Sequence, residues 1–134
     1  MGLKDFTVDT NEGSYDLSAN VRLIGGDFLV AIWGGEKPHI GAVAVAQPRP
    51  SLKDPKMTSA TASVFSYVGH KEDELAKAAA EILAATLNTR VVVTAGIHWD
   101  NLTQKGIKKI IGNSQILVDM ILERCSTEFA SLGK

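Results

Sequence analysis

The stretch IWGGEKPHIGAVAVAQPRP, residues 32–50, sets a glycine pair, a Lys-Pro-His and a further glycine directly before an apolar run. Three readings compete for it: a phosphate cradle, a catalytic loop, or turn chemistry between strands. A Walker loop needs Gly-Lys-Ser/Thr opening a helix, whereas Gly41 leads into Ala42-Val43 and a strand. A dinucleotide fingerprint needs its glycines between a strand and a helix, and here they separate two apolar runs. Gly34 to Pro38 therefore reads as a hairpin turn, and Ile40 to Ala46 as the strand that follows. Ile40, Ala42, Ala44 and Ala46 oppose Gly41, Val43 and Val45, so this strand is expected at the centre of a sheet, covered on both faces.

Upstream, Tyr15, Leu17, Ala19, Val21 and Leu23 alternate with Asp16, Ser18, Asn20 and Arg22, which predicts a strand with one dry face. Gly25-Gly26-Asp27 breaks the chain before the apolar run Phe28 to Trp33, as a primed hairpin turn would. Downstream, Gln47 to Met57 holds three of the four prolines and reads as a long loop, either a binding loop or simply mobile. Thr58 to Tyr67 resumes strand character, with Ala60, Ala62 and Val64 on one face and Ser59, Thr61, Ser63 and Phe65 on the other.

The period then changes. Leu75, Ala79, Ile82, Leu83 and Leu87 recur at helical spacing behind Glu72, Asp73 and Glu74, acidic residues that suit the positive end of a helix dipole. Asn88 is the expected stop, and Val91 to Ile97 is a β-branched run that reads as a buried strand. Asp100 or Asn101 is the expected cap of the next helix, with Gln104 completing a capping-box variant. Ile107, Ile110, Ile111, Leu117, Val118, Ile121 and Leu122 keep one stripe through Gly112-Asn113, a pair that either kinks one helix or separates two. The fold class is α+β: one domain over residues 1–134, a mostly antiparallel sheet built from successive hairpins, with helices packed on it.

Composition limits the function. The 14 Lys+Arg against 15 Asp+Glu leave a net charge of -1, with no basic footprint for nucleic acid or anionic lipid. The single cysteine, Cys125, lies in an apolar helical pattern and is expected buried rather than reactive. The mixed-polarity N-terminus and the absence of a long apolar run lead us to expect a cytoplasmic chain without membrane anchor or disulfide.

Chain direction supplies the candidate site. If the strand from Ile40 runs away from the 34–39 turn and the strand from Thr58 returns beside it, Gly69-His70 lands at the rim that holds His39. The helix from Lys71 and the strand after it then bring His98-Trp99-Asp100 to the same rim, through a right-handed β-α-β crossover. Two helix N-termini, near Lys71 and Leu102, would offer backbone N–H groups there, although Glu72, Asp73 and Glu74 crowd the first. The histidine spacings match no metal-ligand motif, and no serine sits in a nucleophile elbow, so neither a metal site nor a catalytic residue is expected. His98 with Asp100 has the residue types for acid-base work. The plainer account makes His70 and Asp100 helix-start residues, His39 a turn residue after Pro38, and Trp33 and Trp99 packing residues.

Three segments in order, GGEKPHIGAVAVAQPRPSL (34–52), YVGHKEDELA (67–76) and TAGIHWDN (94–101), resemble the prenylated-flavin chaperone-like family of bacteria and archaea over about residues 15–125. That family includes the accessory protein of gallate-type hydroxyarene carboxylate decarboxylases and is similar in fold to the proteasome assembly chaperones. The resemblance implies a non-catalytic helper in the maturation, assembly or prenylated-FMN loading of a flavin-dependent decarboxylase. It implies a homodimer working by protein contact, with no intrinsic cofactor and prenylated FMN met only transiently. Gly35, Pro38, His39 and Gly41 match the first motif, Gly69, His70 and Lys71 the second, and Gly96, His98 and Asp100 the third. Together with Trp99 they are carried over as a ligand or partner rim. Two other readings stay open: a small enzyme or small-molecule-binding protein using the histidine rim, and a general assembly chaperone without a flavin role.

Overall fold

The computed structural model describes residues 4–67 and 72–129. In chain order they form β1 (Asp5–Asp9), β2 (Leu17–Ile24), β3 (Asp27–Gly35), β4 (Ala42–Pro50), β5 (Thr58–Ser66), α1 (Asp73–Leu87), β6 (Val91–His98) and α2 (Gln104–Glu128). The strands make one six-stranded sheet in the order β1-β2-β3-β6-β4-β5. The α+β class and the single sheet with packed helices are as the sequence implies.

The β2–β3 hairpin turns on Gly25-Gly26, with Ile24 opposite Asp27 and Gly25 at φ +62, a conformation that glycine adopts without steric cost. β1 was not anticipated, because Phe6 and Val8 alone are too short a pattern to read as a strand; both are buried on β2.

The second expected hairpin does not form. β3 and β4 run antiparallel but do not pair, because β6 lies between them, parallel to β3 and antiparallel to β4. The 36–41 segment straddles the end of β6 instead of turning. Its backbone is held there by Glu36 N–H donating to His98 O (2.8 Å) and Gly41 N–H donating to Ala95 O (2.9 Å). Glycine makes the crossing possible: a Cβ on Gly96 would lie 1.5 Å from His39 O, and one on Gly35 would lie 2.1 Å from His98 O.

β4 is not central as expected but fifth of the six strands, between β6 and the edge strand β5, and only one of its faces is covered. Ala42, Ala44 and Ala46 are buried, whereas Val45 is 55% exposed and Ile40, before the strand, is 57% exposed. Both helices lie on the face that buries these alanines with Leu17, Val21, Val30, Ile32, Val91 and Val93. The 47–57 loop is also shorter than expected, because β4 continues to Pro50 and pairs there with Thr58. Its pairing with β6 stops at Ala46, so Pro48 and Pro50 meet no neighbour on their second side and their missing N–H groups cost no ladder bond. Ser51–Met57 remains as the loop, at the end of the sheet opposite His39, closed by Ser51 N–H donating to Met57 O.

α1 stops at Asn88, whose φ of 53 forms the left-handed cap. α2 is a single helix through Gly112-Asn113. Asn113 is buried, and its Nδ2 donates to Ser14 O (2.9 Å) and Tyr15 O (2.7 Å), which ties the helix to the loop before β2. Neither Asp100 nor Asn101 caps it: Thr103 does, its Oγ1 accepting from Gly106 N–H. Asn101 sits at φ 57, and the Asp100 carboxylate is engaged by His98. Cys125 is buried, and that burial pushes its thiol up to about 11. No helix among the described residues is long and apolar enough to cross a membrane.

Candidate functional site

The C-terminal ends of β3 and β6, the start of β4 and the N-terminal side of α1 meet at one rim. His39 and His98 both lie there, as chain direction predicted. His70, with Gly69 and Lys71, lies outside the described residues.

Each described histidine has a carboxylate partner. His39 Nε2 is 3.0 Å from Glu72 Oε1 and its Nδ1 is 2.9 Å from Lys37 O. Both ring nitrogens therefore face oxygen atoms. Glu72 Oε1 also accepts from Ile97 N–H (3.2 Å), so one side chain ties β6, α1 and the 36–41 crossing together. With its side chain only 10% exposed, Glu72 is a structural anchor more than a surface acid. Gly41 is shaped by it: a Cβ there would lie 2.5 Å from Glu72 Oε2.

His98 is more open. Its Nε2 pairs with Asp100 Oδ1 at 2.8 Å, with side chains 42% and 55% exposed. The His98 hydrogen bond, followed by the contact with Glu36 and the charge of Lys37, holds the Asp100 carboxyl below the usual aspartate value. Asp100 N–H donates to Glu36 Oε2 at 3.3 Å, which closes the 36–41 crossing onto the turn after β6.

Trp99 packs edge-on against Tyr15, with ring centroids 5.2 Å apart, above a Gly34 whose Cβ would lie 3.4 Å from the indole. It belongs to a packing cluster with Tyr15. Pro38 is exposed at the crest of the crossing. The loop before β2 completes the rim and is stapled by Asp16: Oδ1 accepts from Thr10 Oγ1–H and Glu12 N–H, both at 2.6 Å, and Oδ2 accepts from Gly13 N–H at 3.0 Å. These bonds, that of Thr10 foremost, lower the Asp16 carboxyl from its ordinary value.

The rim is therefore a knot in which residues of the first and third motifs and Glu72 are one another's partners. Gly35 and Gly96 are there for close backbone approach, and Gly41 makes room for the Glu72 carboxylate. Sequence reasoning missed the anchoring roles of Glu72 and Glu36, since Glu72 reads locally as one of three acids at a helix start. Its membership of the second quoted motif was the available signal. The expected free N–H groups are reduced as well: Thr103 takes one at α2, and Asp73 and Glu74 occupy the first turn of α1. Among the described residues no group of three His, Cys, Asp or Glu side chains is placed to hold a metal ion.

Among the described residues, hollows also lie away from the rim. One of about 160 Å³ sits between α1 and α2, lined by Leu75, Ile82 and Val118. One of about 450 Å³ lies at the opposite end of the sheet, bounded by Val45, Thr61, Ser63, Val92 and the Arg90–Asp27 ion pair.

Comparison with known proteins agrees with the motifs. The model of the prenylated flavin chaperone LpdD-like domain matches residues 11–126. Protein LpdD of Lactiplantibacillus plantarum is 28% identical over 101 residues, which is 75% of this chain and 71% of that protein. Among solved structures, a chaperone complex for yeast 20S proteasome assembly superposes with a TM-score of 0.55 at 14% identity, covering 94% of this chain and 98% of that one. At that identity the likeness is one of fold.

Proposed function

Since the chain belongs to the prenylated flavin chaperone LpdD-like family, we propose that it is a non-catalytic accessory protein for a flavin-dependent hydroxyarene carboxylate decarboxylase. It assists the maturation, assembly or prenylated-FMN loading of that enzyme. The family match across residues 11–126 carries this reading. The rim agrees with it: Glu72 and three glycines are spent on holding the backbone together, which suits a shaped contact surface. Apo-decarboxylase given prenylated FMN should recover more activity, or recover it faster, when this protein is added. Unchanged rate and yield would sink the reading.

The protein acts as a homodimer, and the sheet face without helices supports this. Leu29, Val45 and Phe65 are 37%, 55% and 65% exposed on it, beside Ala31, Val43 and Val92. A contiguous apolar face of this kind is costly to leave in water. Light scattering should give twice the chain mass, and Val45→Lys should shift it to the monomer; a wild-type monomer would contradict the dimer.

A small-molecule site at the rim is the second reading, favoured by the accessible His98–Asp100 pair. His98→Ala would then abolish ligand binding or turnover with little change in melting temperature. An affinity pull-down from native cells separates a decarboxylase client from a general assembly role.

A further inference from the structure

We infer that the outer edge of β5 accepts an extended segment of a partner polypeptide as a seventh strand. This rests on the reading of the protein as one that works by protein contact, and it names the surface and the mode.

The sheet ends differently on its two sides. β1 is an edge of five residues with Asp5 and Asp9 at its ends, and Asp5 pairs with Arg22. Short, charged edges of this kind resist pairing with other chains. β5 is also an edge, bonded among the described residues only to β4, but it is nine residues long and TSATASVFS contains no charge, proline or glycine. Its pairing with β4 runs from Thr58 opposite Pro50 to Ser66 opposite Ala42 without a bulge. Charge, proline, short length and a bulge are all absent from this strand, while the other edge has two of these protections. In an antiparallel edge strand about half of the backbone N–H and C=O groups point outward, and an added strand takes them up without regard to sequence.

Side chains narrow the occupant. On the inner face, Ala60, Ala62 and Val64 are partly buried against the core, so small or β-branched side chains fit beside them. On the outer face, Phe65 and Tyr67 are 65% and 55% exposed, with rings 5.7 Å apart and edge-on, a platform for an aliphatic or aromatic neighbour. A second copy of β5 fits poorly. With Ala62 on the two-fold axis the strands overlap fully, but Phe65 then faces Ser59 and Val64 faces Ala60. Sliding the strands until the two phenylalanines meet leaves only a few residues paired. The edge thus favours a foreign, uncharged segment with a larger side chain opposite Ser59 to Phe65, such as an incompletely folded client exposes.

The test is hydrogen exchange read by mass spectrometry, with a capped decapeptide of alternating threonine and valine as the probe. Outward amides of residues 58–66 should exchange at least about tenfold more slowly with the peptide, and β1 should be unchanged. Ala62→Lys and Ser63→Lys, each checked by its melting curve, should remove the effect. Unchanged exchange in β5 overturns the proposal, and so does equal protection of β1. Protection of β5 that rises with protein concentration and needs no peptide assigns the edge to a second copy and overturns it too. A parallel run with apo-decarboxylase keeps the two readings apart: if the peptide protects β5 and the apoenzyme does not, the edge stands as a strand acceptor whose occupant is not the decarboxylase, and the decarboxylase reading is decided by the activity assay.

Discussion

Gly96→Ala tests the crossing over β6 most directly. Gly96 φ lies outside the left-handed region, so alanine meets no backbone penalty and the collision with the crossing is isolated. The new methyl would lie 1.5 Å from His39 O, 2.2 Å from His39 C and 2.9 Å from Ile40 N, all backbone atoms that cannot rotate away. The crossing must withdraw, which endangers the bonds from Glu36 N–H to His98 O and from Gly41 N–H to Ala95 O. Overpacking costs about 1–3 kcal/mol, and each lost backbone bond costs about 1 kcal/mol. Stiffening the unfolded chain returns about 0.5–1 kcal/mol, which leaves a net loss of roughly 2–4 kcal/mol from these sources. At about 4 °C per kcal/mol for a domain of this size, Tm should fall by 8–16 °C. Gly112→Ala is the control, because a Cβ there meets nothing within 4 Å, and it should stabilise α2 by about 0.5–1 kcal/mol. Thermal and urea melts of both variants are the assay. A Gly96→Ala protein that melts with the wild type refutes the packing of the crossing on β6.

Three further outcomes are expected. Glu72→Ala should destabilise by about 2–3 kcal/mol, since Ile97 N–H and His39 Nε2 lose their shared acceptor, whereas Lys77→Ala, at an exposed pair on the same helix, should change urea stability by less than about 0.5 kcal/mol. Asp100 titrates below the usual aspartate value when folded, so its contribution to stability is complete above pH 3.8 and fades as pH falls through the lower folded value; His98→Ala should raise the Asp100 carboxyl in an NMR titration and flatten that acid loss. Cys125, buried with its thiol near 11, should react with iodoacetamide at pH 8 only as fast as the protein unfolds, and rapid labelling of the native state would contradict its burial.

The local pattern of the chain was enough for most of the elements. Alternation wrote β2 and β5, the helical stripe and Asn88 wrote α1, and the β-branched run wrote β6. The resemblance motifs pointed to the family that the comparison of residues 11–126 then showed. The strand directions they imply placed His39 and His98 on one rim, because direction follows from the order of turns and crossovers. Partner choice among strands was not legible. Turn chemistry over Gly34 to Pro38 satisfies a hairpin and a straddling crossing equally well, and nothing local says that β6, more than fifty residues on, will slide between β3 and β4. For the same reason Gly96 and Gly41 resembled turn or site glycines until the backbone of His39 and the carboxylate of Glu72 were seen against them. Which face of β4 stays open was equally hidden: Val43 and Val45 are as apolar as a covered strand requires, and only the placement of both helices on the alanine side leaves Val45 exposed and Val43 half-buried. Short-range periodicity is set by each residue's own geometry and is written in the chain; burial and strand neighbours are set by contacts between distant segments, and those exist only once the sheet has closed.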